Sequence, residues 1–220
     1  AGAVAVLAMS FEAEGRGPGA GASAELDSAE TTHLLFMREE EKLARDVYLT
    51  FAQAYPNQSV FQNIGEGSEQ THTDVIRDQL ETYAIPDPNP AADDLPNSIG
   101  VYTGAQFGGY FTEKYNQLVE IGGRSELDAL YVGALIEEID MHDIVRCPKV
   151  IVEMDNGIEE DGCGLVYTDE RPLKNTYRSL VDGSENHLRA FVGQIEAVIG
   201  EGNYEAQYIS QEEVDSILGR

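Results

Sequence analysis

Apolar residues recur along most of this chain at intervals of three and four, and the stretches where they do so predict helices divided by Pro- and Gly-rich breaks. The first runs over residues 27–55. Leu34, Met37, Ala44, Tyr48 and Phe51 share one face with Glu41, Asp27 and Glu30 have the form of a capping box, and Pro56 is the stop. The second spans residues 59–83, ahead of a Pro-interrupted stretch at 85–90 that no helix continues through. Its stripe is Phe61, Ile64, Ser68, His72, Val75, Ile76 and Tyr83, with Glu69 on it or at its edge. After a long acidic loop, a short amphipathic helix over 106–121 presents Phe107, Phe111, Tyr115 and Leu118 and ends at Gly122-Gly123; with no histidine it reads as packing. The third long helix opens at Ser125, capped against Asp128, and reaches Val145 on Leu127, Leu130, Leu135, Ile136, Ile139 and Ile144. The fourth starts at Pro172 and ends at Gly200, with Leu173, Tyr177, Leu180, Ser184, His187, Leu188, Phe191, Ile195 and Val198 in its stripe. Ser210 and Glu213 cap a last short helix ending near Leu218.

Two stretches break this period. Residues 1–12 (AGAVAVLAMSFE) suggest an extended strand, tethered by a Gly-rich linker over 14–23. Residues 146–171 hold two apolar runs, 150–154 and 164–168, with Asp155-Asn156-Gly157 between them, and predict an inserted β-hairpin. A two-stranded ribbon has an open edge, which the strand at 1–12 of the same or a neighbouring chain could join. The expected organisation is mainly α: strand and linker over 1–26, a bundle over 27–200 with the hairpin inserted at 146–171, and a tail with a short helix over 201–220.

Fourteen Lys and Arg against forty Asp and Glu give a formal net charge of −26, which argues against nucleic acid and anionic membrane surfaces as partners and leaves cations as the natural ones. The bulk of that acidity reads as solubility in a salty or extracellular medium. Cys147 and Cys163 lack metal-finger or redox-motif spacing; they either close one loop as a disulfide in an oxidising compartment or remain two free thiols. No run of 18 apolar residues exists to span a membrane as a helix. The apolar start without Met reads as a processed terminus or a signal-peptide remnant, and favours a secreted, extracellular or cell-surface protein.

The chemistry sits on the long helices. Residues three apart on a helix are one turn apart and close in azimuth, so Glu69 and His72 can reach one ion. Glu41 lies in the middle of an apolar stripe, with Glu40 as its substitute if the register is off by one and Glu39 on a solvated turn. Glu137 and Asp140 form a second pair three apart, flanked by Glu138 and Asp143, and His187 lies in the fourth stripe. His142 falls on another side and reads as a surface residue. Glu41, Glu69, His72, Glu137, Asp140 and His187 are therefore the candidate metal ligands. Tyr48 and Tyr177, a few turns away, are either core or redox-active.

The strings MREEEKLARDVY at 37–48, the segment 63–72, VGALIEEID at 132–140, GSENHLRAF at 183–191 and QYISQEE at 207–213 together resemble an uncharacterised prokaryotic domain family of the ferritin-like superfamily. Glu41-x-x-Ala-Arg-x-x-Tyr48 is also similar to the first ligand helix of rubrerythrins. The resemblance implies an antiparallel four-helix bundle holding two metal ions, usually iron, with Glu69 bridging and His72 and His187 each completing one ion. The departure is Ser184-x-x-His187 where the superfamily has Glu-x-x-His, and Asp140 is the residue placed to compensate. Iron, or manganese or another divalent metal in its place, would make this a ferroxidase or peroxide-reducing oxidoreductase. The rival reading is an extracellular subunit that assembles into homo-oligomers or filaments by strand addition at residues 1–12, with the bundle as scaffold.

Overall fold

A computed structural model describes residues 25–154 and 157–220. Helix α1 (Ser28–Ala54) is capped by Asp27, whose side chain accepts from the Glu30 backbone while Glu30 reaches back to the Asp27 amide. Helix α2 (Ser59–Asn63) runs without a break into a π-helical turn (Ile64–Glu69) and on into α3 (Gln70–Thr82). Helix α4 (Gly108–Gly122) follows a long crossover, then α5 (Glu126–Val145), a single turn α6 (Lys149–Val152), α7 (Arg171–Ile199) and α8 (Gln211–Leu218). Ser125 caps α5 and Ser210 caps α8, as their sequence signatures predict.

Side-chain contacts fix the directions of the four long segments. His33 meets the Asp143 carbonyl at one end of α1 and Tyr48 meets Gly133 at the other, so α1 and α5 are antiparallel. Arg38 on Thr73, and Tyr48 against Gly65, set α1 antiparallel to the π turn and α3. Ser184 on Asp140 and Phe191 against Gly133 do the same for α5 and α7. Ser68 and Gly183 meet His187 and His72, which closes the ring through α3 and α7. Two parallel helices, α3 and α5, are thus joined by the long crossover that carries α4.

That crossover lies across α1 on a buried ionic seam. Arg38 pairs with Asp87 at 2.9 Å and donates to the Thr73 carbonyl; Lys42 pairs with Asp46 and donates to the Ser98 carbonyl at 2.8 Å. Arg45 pairs with Asp46 and donates to the Ala92 carbonyl at 3.0 Å, and Asp46 accepts from the Gly100 amide. Glu39, expected in solvent, is buried here instead and accepts from Asn89 Nδ2 at 2.6 Å. The partner that buries it lies fifty residues away, beyond the reach of helical periodicity.

The expected β-hairpin at 146–171 does not form: there is no strand among the described residues. Pro148 starts the single turn α6, which buries Ile151. The amides of Leu165 and Val166 bond the Ile144 and Val145 carbonyls at 3.0 and 3.1 Å, satisfying the open end of α5 rather than a partner strand. A disulfide between Cys147 and Cys163 closes the loop. The expected strand at 1–12 lies outside the described residues, but the ribbon edge it was to join does not exist, which removes the proposed acceptor for filament growth. No helix among the described residues is long and apolar enough to cross a membrane.

His33, wholly buried, lies between the Tyr177 hydroxyl at 2.7 Å from Nδ1 and the Asp143 carbonyl at 2.8 Å from Nε2, partners that suit the neutral ring with hydrogen on Nε2. Burial pushes its pKa down to about 4 from 6.5. A histidine whose folded pKa is depressed contributes stability above the unfolded value, and that stability is lost as pH falls from about 6.5 towards 4. Urea unfolding of wild type and His33→Gln at pH 7 and 4.5 should show the gap between them shrink by about 2–3 kcal/mol at the lower pH. In the seam, Asp46→Ala leaves Lys42 without its buried counter-ion and should lower unfolding stability by about 3–5 kcal/mol.

Candidate metal centre

All six residues expected as ligands point into the ring of four helices, and none is more than 8% exposed. Glu41 comes from α1, Glu69 from the last residue of the π turn, His72 from the first turn of α3, Glu137 and Asp140 from α5, and His187 from α7. The π turn adds one residue to the path between Ile64 and Glu69, so these two, five apart, both lie on the buried side with Phe61 and Ile76. Gly65 allows the approach to α1, since a Cβ there would sit 3.1 Å from Tyr48 Cβ. Gly183 does the same for His72: a Cβ would sit 2.5 Å from its Nε2.

Two half-sites share Glu69. His72 Nδ1 faces Glu41 Oε2 at 3.2 Å and Glu69 Oε2 at 3.5 Å. His187 Nδ1 faces Glu69 Oε1 at 2.8 Å and Glu137 Oε2 at 3.3 Å. One donor atom each from Glu69, His72 and His187 lies within 4.8 Å of the others. Asp140 enters from the side, its Oδ2 accepting from Ser184 Oγ.

Neighbouring groups hold these side chains in place. Tyr48 is wholly buried, donates to Glu137 Oε1 and leaves Oε2 for His187. Ser68 Oγ lies 2.7 Å from His187 Nε2, so a ring with hydrogen on Nε2 turns the Nδ1 lone pair towards Glu69 and Glu137. Tyr177, the other tyrosine singled out, belongs to the His33 contact and not to this centre.

Glu41 Oε1, Glu69 Oε2 and Asp140 Oδ1 are buried and have no hydrogen-bond partner among the described residues. Buried polar atoms are ordinarily satisfied, and three orphaned carboxylate oxygens facing two imidazoles are what a cation would satisfy. Burial opposes charge on His72, but Glu69 and Glu41 outweigh it and push its pKa up to about 12; Glu137 and Glu69 push that of His187 up to about 10 against the same penalty. Burial raises Glu41 to about 7 although His72 pulls it down, and it drives Asp140 well above the usual carboxylate range with Glu41, Glu137 and Glu69 adding to the effect. Glu69 is depressed, because the two imidazoles overcome its burial. Without metal, then, the rings are the cations. The donor set, carboxylate oxygens with two imidazoles, suits first-row divalent ions such as iron, manganese or zinc.

The flanking acids go elsewhere. Glu138 turns to the tail, accepting from the amides of Gln207, Tyr208 and Ile209. Glu40 and Asp143 meet one another, and His142 is half-buried beside Asp143. The ionic seam, the Tyr48–Glu137 bond and the Ser68–His187 bond are contacts that helical periodicity does not show.

The profile of a family described as "Uncharacterized protein domain (DUF2202)" matches residues 30–220. The chain is 42% identical over 193 residues to the "Uncharacterized protein MJ0754" of Methanocaldococcus jannaschii, with 88% of each chain covered. The crystal structure of hypothetical protein MJ0754 from Methanococcus jannaschii superposes with a TM-score of 0.72 at 40% identity, covering 90% of this chain and 95% of that one.

Imidazole ligates as the neutral ring, so an ion entering this centre at neutral pH displaces the protons that the carboxylates hold on His72 and His187. Titration calorimetry with Mn²⁺ or Zn²⁺ in buffers of different ionisation enthalpy should report the release of at least two protons per chain, those of the two imidazoles together with any held by Asp140 and Glu41, and affinity should rise with pH.

Proposed function

The chain belongs to the DUF2202 family of uncharacterized domains, and from the centre it carries we propose a metal-binding protein of the ferritin-like kind. It holds two first-row ions, iron or manganese, and works as an oxidoreductase on dioxygen or peroxide. The observation that carries this reading is the meeting of four buried carboxylates and two imidazoles from four helices around orphaned oxygens.

Two features support the ferritin-like part. The helix ring closes through one long crossover between parallel helices, and the ligands follow the order Glu, Glu-x-x-His, Glu, x-x-x-His along it, as in the carboxylate-bridged di-metal bundles. Glu69 offers one oxygen to each imidazole, which is the place of a bridging ligand. His72 with Glu41 would hold one ion and His187 with Glu137 the other, with Asp140 adding the carboxylate that α7 lacks.

Iron or manganese bound there would supply one-electron redox change and Lewis acidity. The chain's own part is to position and exclude. Tyr48 and Ser68 orient Glu137 and His187, and the aromatic layer of Tyr48, Phe61 and Phe191 seals one side. The Cys147–Cys163 disulfide supports an oxidising, extracellular setting.

Metal analysis of natively purified protein, followed by anaerobic Fe²⁺ titration, should give about two ions per chain, with faster Fe²⁺ oxidation than in buffer and measurable peroxide consumption. Glu69→Ala and His72→Ala should each lose both the metal and the peroxide consumption. Unchanged metal content in these variants sinks the reading; metal retained without either activity reduces it to a binding site.

A further inference from the structure

An open groove of about 500 Å³ lies between α5, α7 and the tail that leads into α8, and none of its lining residues is a candidate ligand. Its floor is apolar: Met141 and Val145 come from α5, Val181 from α7, and Ile209 and Ile217 from the tail. All of these but Met141 remain partly exposed, and Tyr208 at the edge is 44% exposed.

The charged groups at the rim are already matched. Arg146 pairs with Asp161, Glu185 pairs with Arg189 at 2.9 Å, Glu213 accepts from the Ser210 amide at 3.0 Å, and His142 Nδ1 lies 2.8 Å from Asp143 Oδ1. The groove therefore suits a neutral, apolar occupant better than a ligand recognised by its charge.

The chain itself carries such an occupant. Residues 1–11 (AGAVAVLAMSF) hold no charged side chain in a protein of net charge −26, and they lie outside the described residues. The described chain begins at Glu25, close to the groove's end. Asp27 accepts from the Tyr167 hydroxyl at 2.6 Å, and the amide of the preceding Val166 bonds the carbonyl of Val145, a floor residue, at 3.1 Å. Val166 and Tyr167, 51% and 44% exposed, extend the apolar surface from the groove towards that starting point. Fully extended, residues 12–24 span up to about 40 Å, longer than the ~30 Å diameter of a small domain. A tether of this length presents residues 1–11 at about millimolar effective concentration, which favours them over the same segment of a second copy at micromolar protein.

We propose that residues 1–11 dock in the groove between α5, α7 and α8 of their own chain, with apolar side chains against Val145, Val181 and Ile217. Apolar surface leaves water on both sides, and no charge has to be desolvated. The docking does not depend on the metal centre, since the two share no residue.

The chain has no tryptophan, so Val4→Trp and Leu7→Trp in the full chain each provide a single reporter. At least one should emit to the blue of a free tryptophan peptide, with acrylamide quenching reduced several-fold and unchanged on dilution. Adding Val181→Asp or Ile217→Asp should move that emission to the red and restore quenching, with the helical circular dichroism retained. A photo-crosslinking benzoylphenylalanine in place of Leu7 needs no groove variant to fold, and should mark peptides containing Met141, Val181 or Ile217 of the same chain. Tryptophan exposed at both positions, protection untouched by both folded groove variants, or cross-links that fall elsewhere or join two chains would each overturn the proposal.

Discussion

Uncompensated negative charge inside a helical ring is the constraint on which the rest of this structure depends. Carboxylates taken out of water are tolerated only beside positive charge or as the protonated acid. Helix α1 meets this requirement differently on its two sides. Towards the crossover, Asp46 is matched by Lys42 and Arg45, and Arg38 by Asp87, so the acids there meet ammonium and guanidinium groups. Towards α3, α5 and α7, Glu41, Glu69, Glu137 and Asp140 face two histidines and no guanidinium or ammonium group among the described residues. Ammonium and guanidinium groups make a seam that holds the crossover; imidazoles, which can give up their protons, leave donor atoms able to meet a cation.

The helix arrangement follows from the same need. Four carboxylates and two imidazoles reach one level only if each long helix contributes from its middle, and the antiparallel contacts put Glu41, Glu69, Glu137 and His187 at matching heights. The close approach this requires rests on small residues: Gly65 beneath Tyr48, Gly133 beneath Phe191 and Gly183 beneath His72. Each lacks a Cβ where one would collide with the neighbouring helix or with a ligand ring. The seam then anchors the crossover to α1, which positions the parallel pair α3 and α5 on either side of it.

The helices and the six buried acid and imidazole positions could be read from the chain because both signals are local. Capping residues at Asp27, Ser125 and Ser210 and the three-and-four period fall within one or two turns, and a polar group in an apolar stripe stands out there. Glu41 was separable from Glu40 chiefly through the resemblance of residues 41–48 to ligand helices elsewhere; azimuth alone left both open. Asp140 stood out as the partner of Glu137 three residues on, and only its compensating role rests on Ser184. What escaped reading was set by distant partners. Glu39 is buried by Asn89, fifty residues on. The stretch 146–171 carries β-branched runs around a turn signal, but the open carbonyls of α5 and the disulfide decide its path. The π turn before Glu69 likewise answers to the approach of α1 at Gly65 rather than to any residue preference.

Ser184 shows how such a centre keeps its charge while changing its geometry. A glutamate at that position would project a carboxylate from α7, three residues before His187. Here the hydroxyl instead meets a carboxylate from α5: Asp140 Oδ2 accepts from Ser184 Oγ, which also lies 3.1 Å from the Leu180 carbonyl as the alternative acceptor of its single proton. The number of acids around the imidazoles is the same as in a ring with Glu-x-x-His on two helices. The difference is that Asp140 has a shorter side chain and one oxygen already committed to a hydrogen bond, so it offers a single donor atom where a glutamate offers two. Its other oxygen, Oδ1, is buried and without a hydrogen-bond partner among the described residues. Because Asp140 shares its side of α5 with Asp143, that side of the helix carries acid from the ring of imidazoles out to His142, which lies beside Asp143.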